Sequence, residues 1–234
     1  ERGGGSGDSR PAVRRSSPHG RWAAVPAAYK VDRYPTTLVL DDLHLLTSAV
    51  LLDELATLPL LTEAYAIPEH EHPDSRPLAL LGNILMSGES SRLYQRLVKE
   101  EKVALQVGGG ANSGLGPGTL QVFALPNQGV DVARLESLIR EELDRVLREG
   151  VTQRELEKVK NQQRAGMIMG RQTVSAKASQ LHHYRVLHGD LDAINEDLDA
   201  YMAVTTDDIL RVARRYITPG NRTTMVVKPA ESST

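Results

Sequence analysis

PDSRPLALLGNILMSGESSRLYQRLVKEEKVALQV, residues 73–107, is the stretch on which the fold turns. Leu78, Leu81, Ile84 and Leu85 recur at helical spacing, which predicts a helix with one apolar face. Gly88 ends it, and Ser90 or Ser91 is expected to cap a second helix by accepting a bond from its free N–H groups. On that second helix Leu93, Leu97 and Val98 share one side, with Arg92, Gln95, Arg96 and Lys99 around them. Val103 to Val107 is short and β-branched enough for a strand.

Working outward, Leu58 to Ile67 suits a buried strand closed by Pro68. Val103–Ser113 and Thr119–Leu125 predict two further strands, joined through the turn Leu115-Gly116-Pro117-Gly118. Asp131 opens a helix whose stripe is Val132, Leu135, Leu138, Ile139, Leu143, Val146 and Leu147, ended by Gly150. Thr152 to Glu155 reads as a capping box that starts the next helix. Helices follow over Val174–Leu187, Leu191–Met202 and Thr206–Tyr216, the last capped by Thr205 with Asp208, and Arg222–Lys228 is a closing strand. The fold class expected is α+β, with helices packed on an antiparallel or mixed sheet.

Two domains of the sequence differ in character. Residues 1–49 are read as a poorly ordered basic Gly/Ser/Pro-rich arm followed by an unassigned segment, and residues 50–234 as the folded domain. The first 35 residues carry seven Lys or Arg against three acids and show no periodicity, whereas Tyr34 to Ala49 has helix-like apolar spacing.

Composition excludes several classes. A formal net charge of −2 over 234 residues gives no overall electrostatic footprint for nucleic acid or an anionic surface. Without cysteine there is neither a disulfide framework nor a thiol nucleophile. The most apolar region, Leu38 to Leu61, is interrupted by Asp41, Asp42, His44, Asp53 and Glu54, so no transmembrane segment is expected. The chain opens on Glu1 rather than Met, so a processed or partial sequence is expected and no localisation follows.

The histidines are His19, His44, His70, His72, His182, His183 and His188, and none begins His-x-x-Glu-His or His-Glu-x-x-His. His70 and His72 flank Glu71 in a loop, which leaves a zinc site short of ligands, and neighbouring helical histidines point about 100° apart. No metal site and no catalytic residue is therefore expected here. Ser90 and Ser91 lack a recognisable base, and Gly108-Gly109-Gly110 lacks the Gly-Lys-Ser/Thr of a phosphate loop, so strand-end flexibility is the reading for those glycines. The mixed charges at 99–102 and 154–160 read as solvated helix faces.

The order of elements, the run Ser90-Ser91-Arg92-Leu93-Tyr94, Gly150-Val151-Thr152 with Glu155-Leu156, and Tyr201 with Val204-Thr205 and Asp208-Ile209 resemble the C-terminal half of the pitrilysin/insulinase family of zinc metallopeptidases, over about Val50 to Pro229. The resemblance implies a clamshell of two similar halves around an unfolded peptide, with zinc in the N-terminal half. It implies that this chain walls the substrate chamber and works only with a zinc-bearing half or homologous partner chain. Many members carry an Arg and a Tyr seven residues apart that lean over the zinc. Those positions here are Val98 and Leu105, which can supply neither a hydrogen bond nor a charge. Both are expected to be packing residues. Two explanations stay open: a partner chain supplies the pair, or the chain is a non-catalytic structural or protein-interaction subunit of the same fold.

Overall fold

The structure is a computed structural model that describes residues 29–30, 48–53, 58–187, 189 and 193–229. Two short strands, β1 (Tyr29–Lys30) and β2 (Ser48–Asp53), precede β3 (Leu60–Ile67). The helix α1 (Ser75–Met86) and the single turn α2 (Arg92–Tyr94) follow, and α2 runs on as a π-helix over Gln95–Glu100. The hairpin β4 (Ala104–Asn112) and β5 (Gly118–Pro126) leads into α3 (Val132–Glu149) and α4 (Gln153–Met169). Then come α5 (Val174–Leu187), α6 (Ala193–Ala203), α7 (Thr206–Tyr216) and the closing strand β6 (Arg222–Pro229).

The strands form one six-stranded mixed sheet in the order β1-β2-β6-β3-β5-β4. Its antiparallel part is β6-β3-β5-β4, and β2 runs parallel to β6. The boundary placed at residue 50 falls within β2, which starts at Ser48. Most of residues 1–49 lie outside the described residues.

Side-chain alternation divides the sheet into two faces. On β3, Leu61, Glu63, Tyr65 and Ile67 are buried toward the helices. The register places Leu120, Val122 and Ala124 beside them. Against this face pack α1 on β4 and β5, α3 on β5 and α7 on β3. The core is aliphatic: Leu78, Leu81, Ile84 and Leu85 of α1 meet Leu135, Leu138, Ile139 and Val146 of α3 in one cluster. Of the stripe expected on α3, Leu135, Leu138, Ile139, Leu143 and Val146 are buried and Val132 and Leu147 partly so, with Glu142 buried beside them.

Glu63 is the exception in that core. Its carboxylate accepts from Tyr65 Oη at 3.1 Å and from Arg140 Nε at 3.3 Å. Burial nevertheless raises its pKa above the usual carboxylate range, with Arg140 pulling the other way.

Three local expectations are corrected. Gly108–Gly110 lie in the middle of β4, not at a strand end. Gly109 has φ +141°, and a Cβ there would sit 2.0 Å from the Gln121 carbonyl oxygen. Gly82 of α1 would bring a Cβ within 3.0 Å of the Ala111 amide, so this glycine lets α1 lie close on β4, whereas Gly109 is required by its own φ and by β5. Ser91 stands at the N-cap of α2 but its hydroxyl donates to the Gly88 carbonyl at 2.8 Å instead of accepting from the helix. The charged face at 154–160 is not wholly solvated, because Glu155 turns inward and its carboxylate accepts from Arg92 Nε at 2.7 Å and Nη2 at 2.9 Å.

That pair holds Glu155 well below its usual range, at about 2. The Arg92 hydrogen bonds dominate, opposed by burial and helped by the Thr152 amide and hydroxyl. A carboxylate depressed in the folded state stabilises the fold above its unfolded pKa, and that stabilisation is lost as pH falls from 4.5 toward 2. Glu155→Gln should therefore cost about 1–3 kcal/mol at pH 7. It should also remove part of the stability slope below pH 4.5, as read by urea denaturation across pH. Gly109→Ala should cost more than about 2 kcal/mol by the same measurement, since both φ and space oppose it. A wild-type melting curve for Gly109→Ala would contradict the packing described.

Candidate functional site

The face of the sheet turned away from the helices is built by the other half of the alternation. By register it carries Leu60, Thr62, Ala64 and Ala66 on β3, and Thr119, Gln121, Phe123 and Leu125 on β5. Gln106, Gly108, Gly110 and Asn112 of β4 and Thr223, Met225 and Val227 of β6 continue it, and by register the β2 positions Ala49, Leu51 and Asp53 extend it beyond β6. None of those on β3, β4, β5 and β6 is charged, although a quarter of the chain is Asp, Glu, Lys or Arg. Phe123 lies across β4 at Gly108, where a Cβ would stand 2.7 Å from its Cζ. Phe123 and Met225 are the register partners of Thr62 on its two sides, and Thr62 is buried between them. Gln106, Gln121 and Asn112 remain exposed. Such a surface offers van der Waals contact and neutral amide hydrogen bonds to an extended chain, and no acid–base chemistry.

At the edge of this face the chain leaves the π-helix through Lys102, a non-glycine residue at φ 53°. Asn127 pins the segment: its side-chain amide donates to Lys102 O at 2.5 Å and its backbone N–H to Val103 O at 2.8 Å. The register then slips between Ala104 and Gln106, so Leu105 sits in a β-bulge on the edge strand with 55% of its surface exposed. Leu105 is thus no packing residue, which corrects the sequence expectation. Alternation predicts an inward or outward side chain on a regular strand, and a bulge breaks the alternation. Val98, inside the π-helix, is half-buried and packs against the core as expected. One position of the pair presents itself on the surface, the other lies beneath it, and both are apolar.

The polar clusters of the helix layer are internal ties. Arg92 also donates to Gly150 O at 3.2 Å and to Glu142 at 3.5 Å, which fills the groove between α2 and α4 with mutually paired charges. Lys158 Nζ donates to both the carbonyl and the hydroxyl of Ser90, at 3.0 and 3.1 Å. Neither Ser90 nor Ser91 is placed as a nucleophile. Asp74, buried at the start of α1, accepts from Arg211 at 2.6 Å, Arg215 at 3.0 Å and Tyr216 Oη at 2.8 Å. Burial alone would raise its pKa, but the Arg211 and Tyr216 hydrogen bonds hold it below the usual value. Arg76 bonds Asp197 at 2.7 Å, and Tyr184 Oη donates to the same carboxylate at 2.8 Å. Sequence spacing could not reveal these ties, since their partners lie up to 142 residues apart.

Among the described residues the histidines form no metal-binding group. His72 Nδ1 accepts from the Asp74 amide at 3.0 Å, and the His70 carbonyl accepts from Ser75 Oγ at 2.5 Å, so this loop is committed to starting α1. His182 is exposed on α5; His19, His44, His188 and the His183 side chain lie outside what the structure describes. Among the described residues no three His, Cys, Asp or Glu are grouped to hold a metal ion. No described helix is long and apolar enough to cross a membrane.

Comparison with known proteins gives this geometry a context. The sequence profile of the family described as the peptidase M16 inactive domain matches residues 28–163. The zinc protease PqqE of Helicobacter pylori is 28% identical over 166 residues, covering 70% of this chain and 37% of that protein. A solved protease from Helicobacter pylori superposes with a TM-score of 0.72 at 25% identity, covering 78% of this chain and 44% of that one. An inactive peptidase domain from Bordetella parapertussis superposes with a TM-score of 0.68 at 26% identity, covering 75% of this chain and 95% of that one. The chain therefore spans about a third of the length of the curated relatives it matches.

Dialysed protein should hold far less than one zinc per chain by elemental analysis, because the described ligands cannot make a site of three or more. One zinc per chain surviving dialysis would contradict this.

Proposed function

This chain belongs to the peptidase M16 inactive-domain family, the C-terminal type of half in pitrilysin-like proteases, and on that premise we propose that it walls the substrate chamber of a two-part zinc peptidase. The zinc, and the glutamate that activates its water, belong to a separate half bearing His-x-x-Glu-His. The observation that carries this reading is the pair Val98 and Leu105. The family's Arg and Tyr at these positions supply a positive charge and a donor to a developing oxyanion. Here one side chain is a half-buried Val and the other an exposed Leu on a bulge. Neither stabilises negative charge.

Division of labour between chains accounts for the combination of an intact fold and an empty donor set. A partner chain contributes the Arg and Tyr, and this chain contributes a wall. The uncharged face of β3 to β6, bordered by the Leu105 bulge, suits that role, since it holds an unfolded peptide by contact and amide hydrogen bonding without selecting a charge at one point.

Purified alone, the chain should not hydrolyse a quenched fluorescent peptide, with or without added zinc, and a zinc-bearing half should restore turnover. In the restored enzyme the double change Val98→Arg with Leu105→Tyr should leave kcat/KM within about twofold, because the pair already comes from elsewhere. Leu105→Tyr should be tolerated at its exposed bulge, whereas Val98→Arg should cost about 1–3 kcal/mol by pushing charge against the core. Zinc-dependent turnover by the chain alone, or a large gain from the double change, would overturn the proposal.

A further inference from the structure

Whole-chain charge hides a local segregation. Between Glu157 and Asp190 the sequence holds six Lys or Arg residues and not one Asp or Glu, although the chain as a whole is at −2. This stretch forms the second half of α4, the turn to α5 and most of α5 itself. Among the described residues none between Val159 and Tyr184 is buried. The most exposed apolar side chains of the stretch gather at the turn: Ile168 at 57%, Met169 at 67% and Val174 at 85%. Arg164 stands one helical turn before that cluster and Lys177 one turn after it, and neither has a carboxylate partner among the described residues.

We propose that the α4–α5 turn is a membrane-docking tip, in which Ile168, Met169 and Val174 enter the upper acyl region of an anionic bilayer while Arg164 and Lys177 lie among its phosphate headgroups. Charge complementarity names this occupant. A turn that exposes three apolar side chains, with half-buried Arg171 between them and a cation one helical turn away on each side, matches the depth profile of a bilayer, with apolar core beneath and negative charge above. A seven-residue apex is small for a stable protein interface, which takes about 20–30 residues on each side. The docking is peripheral and involves no spanning helix. It is independent of the peptidase reading, because the turn lies in the helix layer and not on the uncharged face of β3 to β6.

Co-sedimentation with vesicles tests it directly. The full chain should pellet with vesicles of equal phosphatidylglycerol and phosphatidylcholine at about 0.05 M salt, and should stay in solution with phosphatidylcholine alone. The triple change Ile168→Asp, Met169→Asp and Val174→Asp should lower the partition at least about tenfold. Arg164→Glu with Lys177→Glu should lower it similarly while keeping the apolar apex, so one variant's failure to fold leaves the other to decide. Circular dichroism confirms that each is folded. The proposal is overturned by no binding to the anionic vesicles, by equal binding of folded variants, or by apex-dependent self-association in light scattering. A complex with a zinc-bearing half that the same substitutions dissolve would overturn it too.

Discussion

Arg92 holds the helix layer in one piece. Its guanidinium reaches Glu155 through two nitrogens, Glu142 through a third bond and the Gly150 carbonyl through a fourth, with the side chain only 16% exposed. The residues it joins belong to α2, α3, the glycine that ends α3 and the first turn of α4. A planar fork is the side chain suited to this, because lysine could not span the carboxylate and the carbonyl together. Losing the Glu155 partner would leave the guanidinium only Glu142 and the Gly150 carbonyl, at a cost of about 1–3 kcal/mol. Glu155 is committed twice over, since it also closes the capping box on Thr152. The start of α4 and the seat of α2 are therefore one decision, and the π-helix that carries Val98 follows directly from α2.

Much of the fold was legible in the sequence because its helices are strongly periodic. α3, α5 and α7 and the caps at Thr152 and Thr205 stand where spacing put them. The Ser-Ser-Arg-Leu-Tyr run and the Gly-Val-Thr-x-x-Glu run were each weak as motifs, and the structure shows them to be the two ends of a single ion pair. That link is invisible to local patterning, because nothing in a sequence window says that Arg92 and Glu155 meet. Leu105 failed for a different reason. Its neighbours alternate correctly, but the bulge is set by the turn at Lys102 and by Asn127, which sits beyond the far end of the next strand. The glycines of β4 carried a signal, yet it takes the neighbouring strand to explain it, since a Cβ would meet the Phe123 ring at Gly108 and the Gln121 carbonyl at Gly109. β1 and the whole of β2 escaped, because strands joined to the sheet by parallel pairing have no hairpin to announce them.

These features fit the proposed role of a chamber wall. The helix layer spends its charges on itself: Asp74 on Arg211, Arg215 and Tyr216, Asp197 on Arg76 and Tyr184, Glu155 on Arg92. Across β3, β4, β5 and β6 the opposite face of the sheet carries no charged residue. Buried ties fix the scaffold on one side, and a neutral wall is left on the other. On the proposed reading, a peptide lying on that wall would meet shape and amide groups, and the steps that make or break bonds would belong to a separate zinc-bearing half.

The wall itself is the central claim, and amide chemical-shift mapping tests it most directly. Isotope-labelled chain titrated with an unstructured, mixed-sequence peptide should show its shift changes on Gln106, Asn112, Gln121, Phe123 and Met225, with the helix layer around Arg92 and Asp74 unmoved. Changes confined to the helix layer, or none at peptide concentrations in the millimolar range, would contradict it.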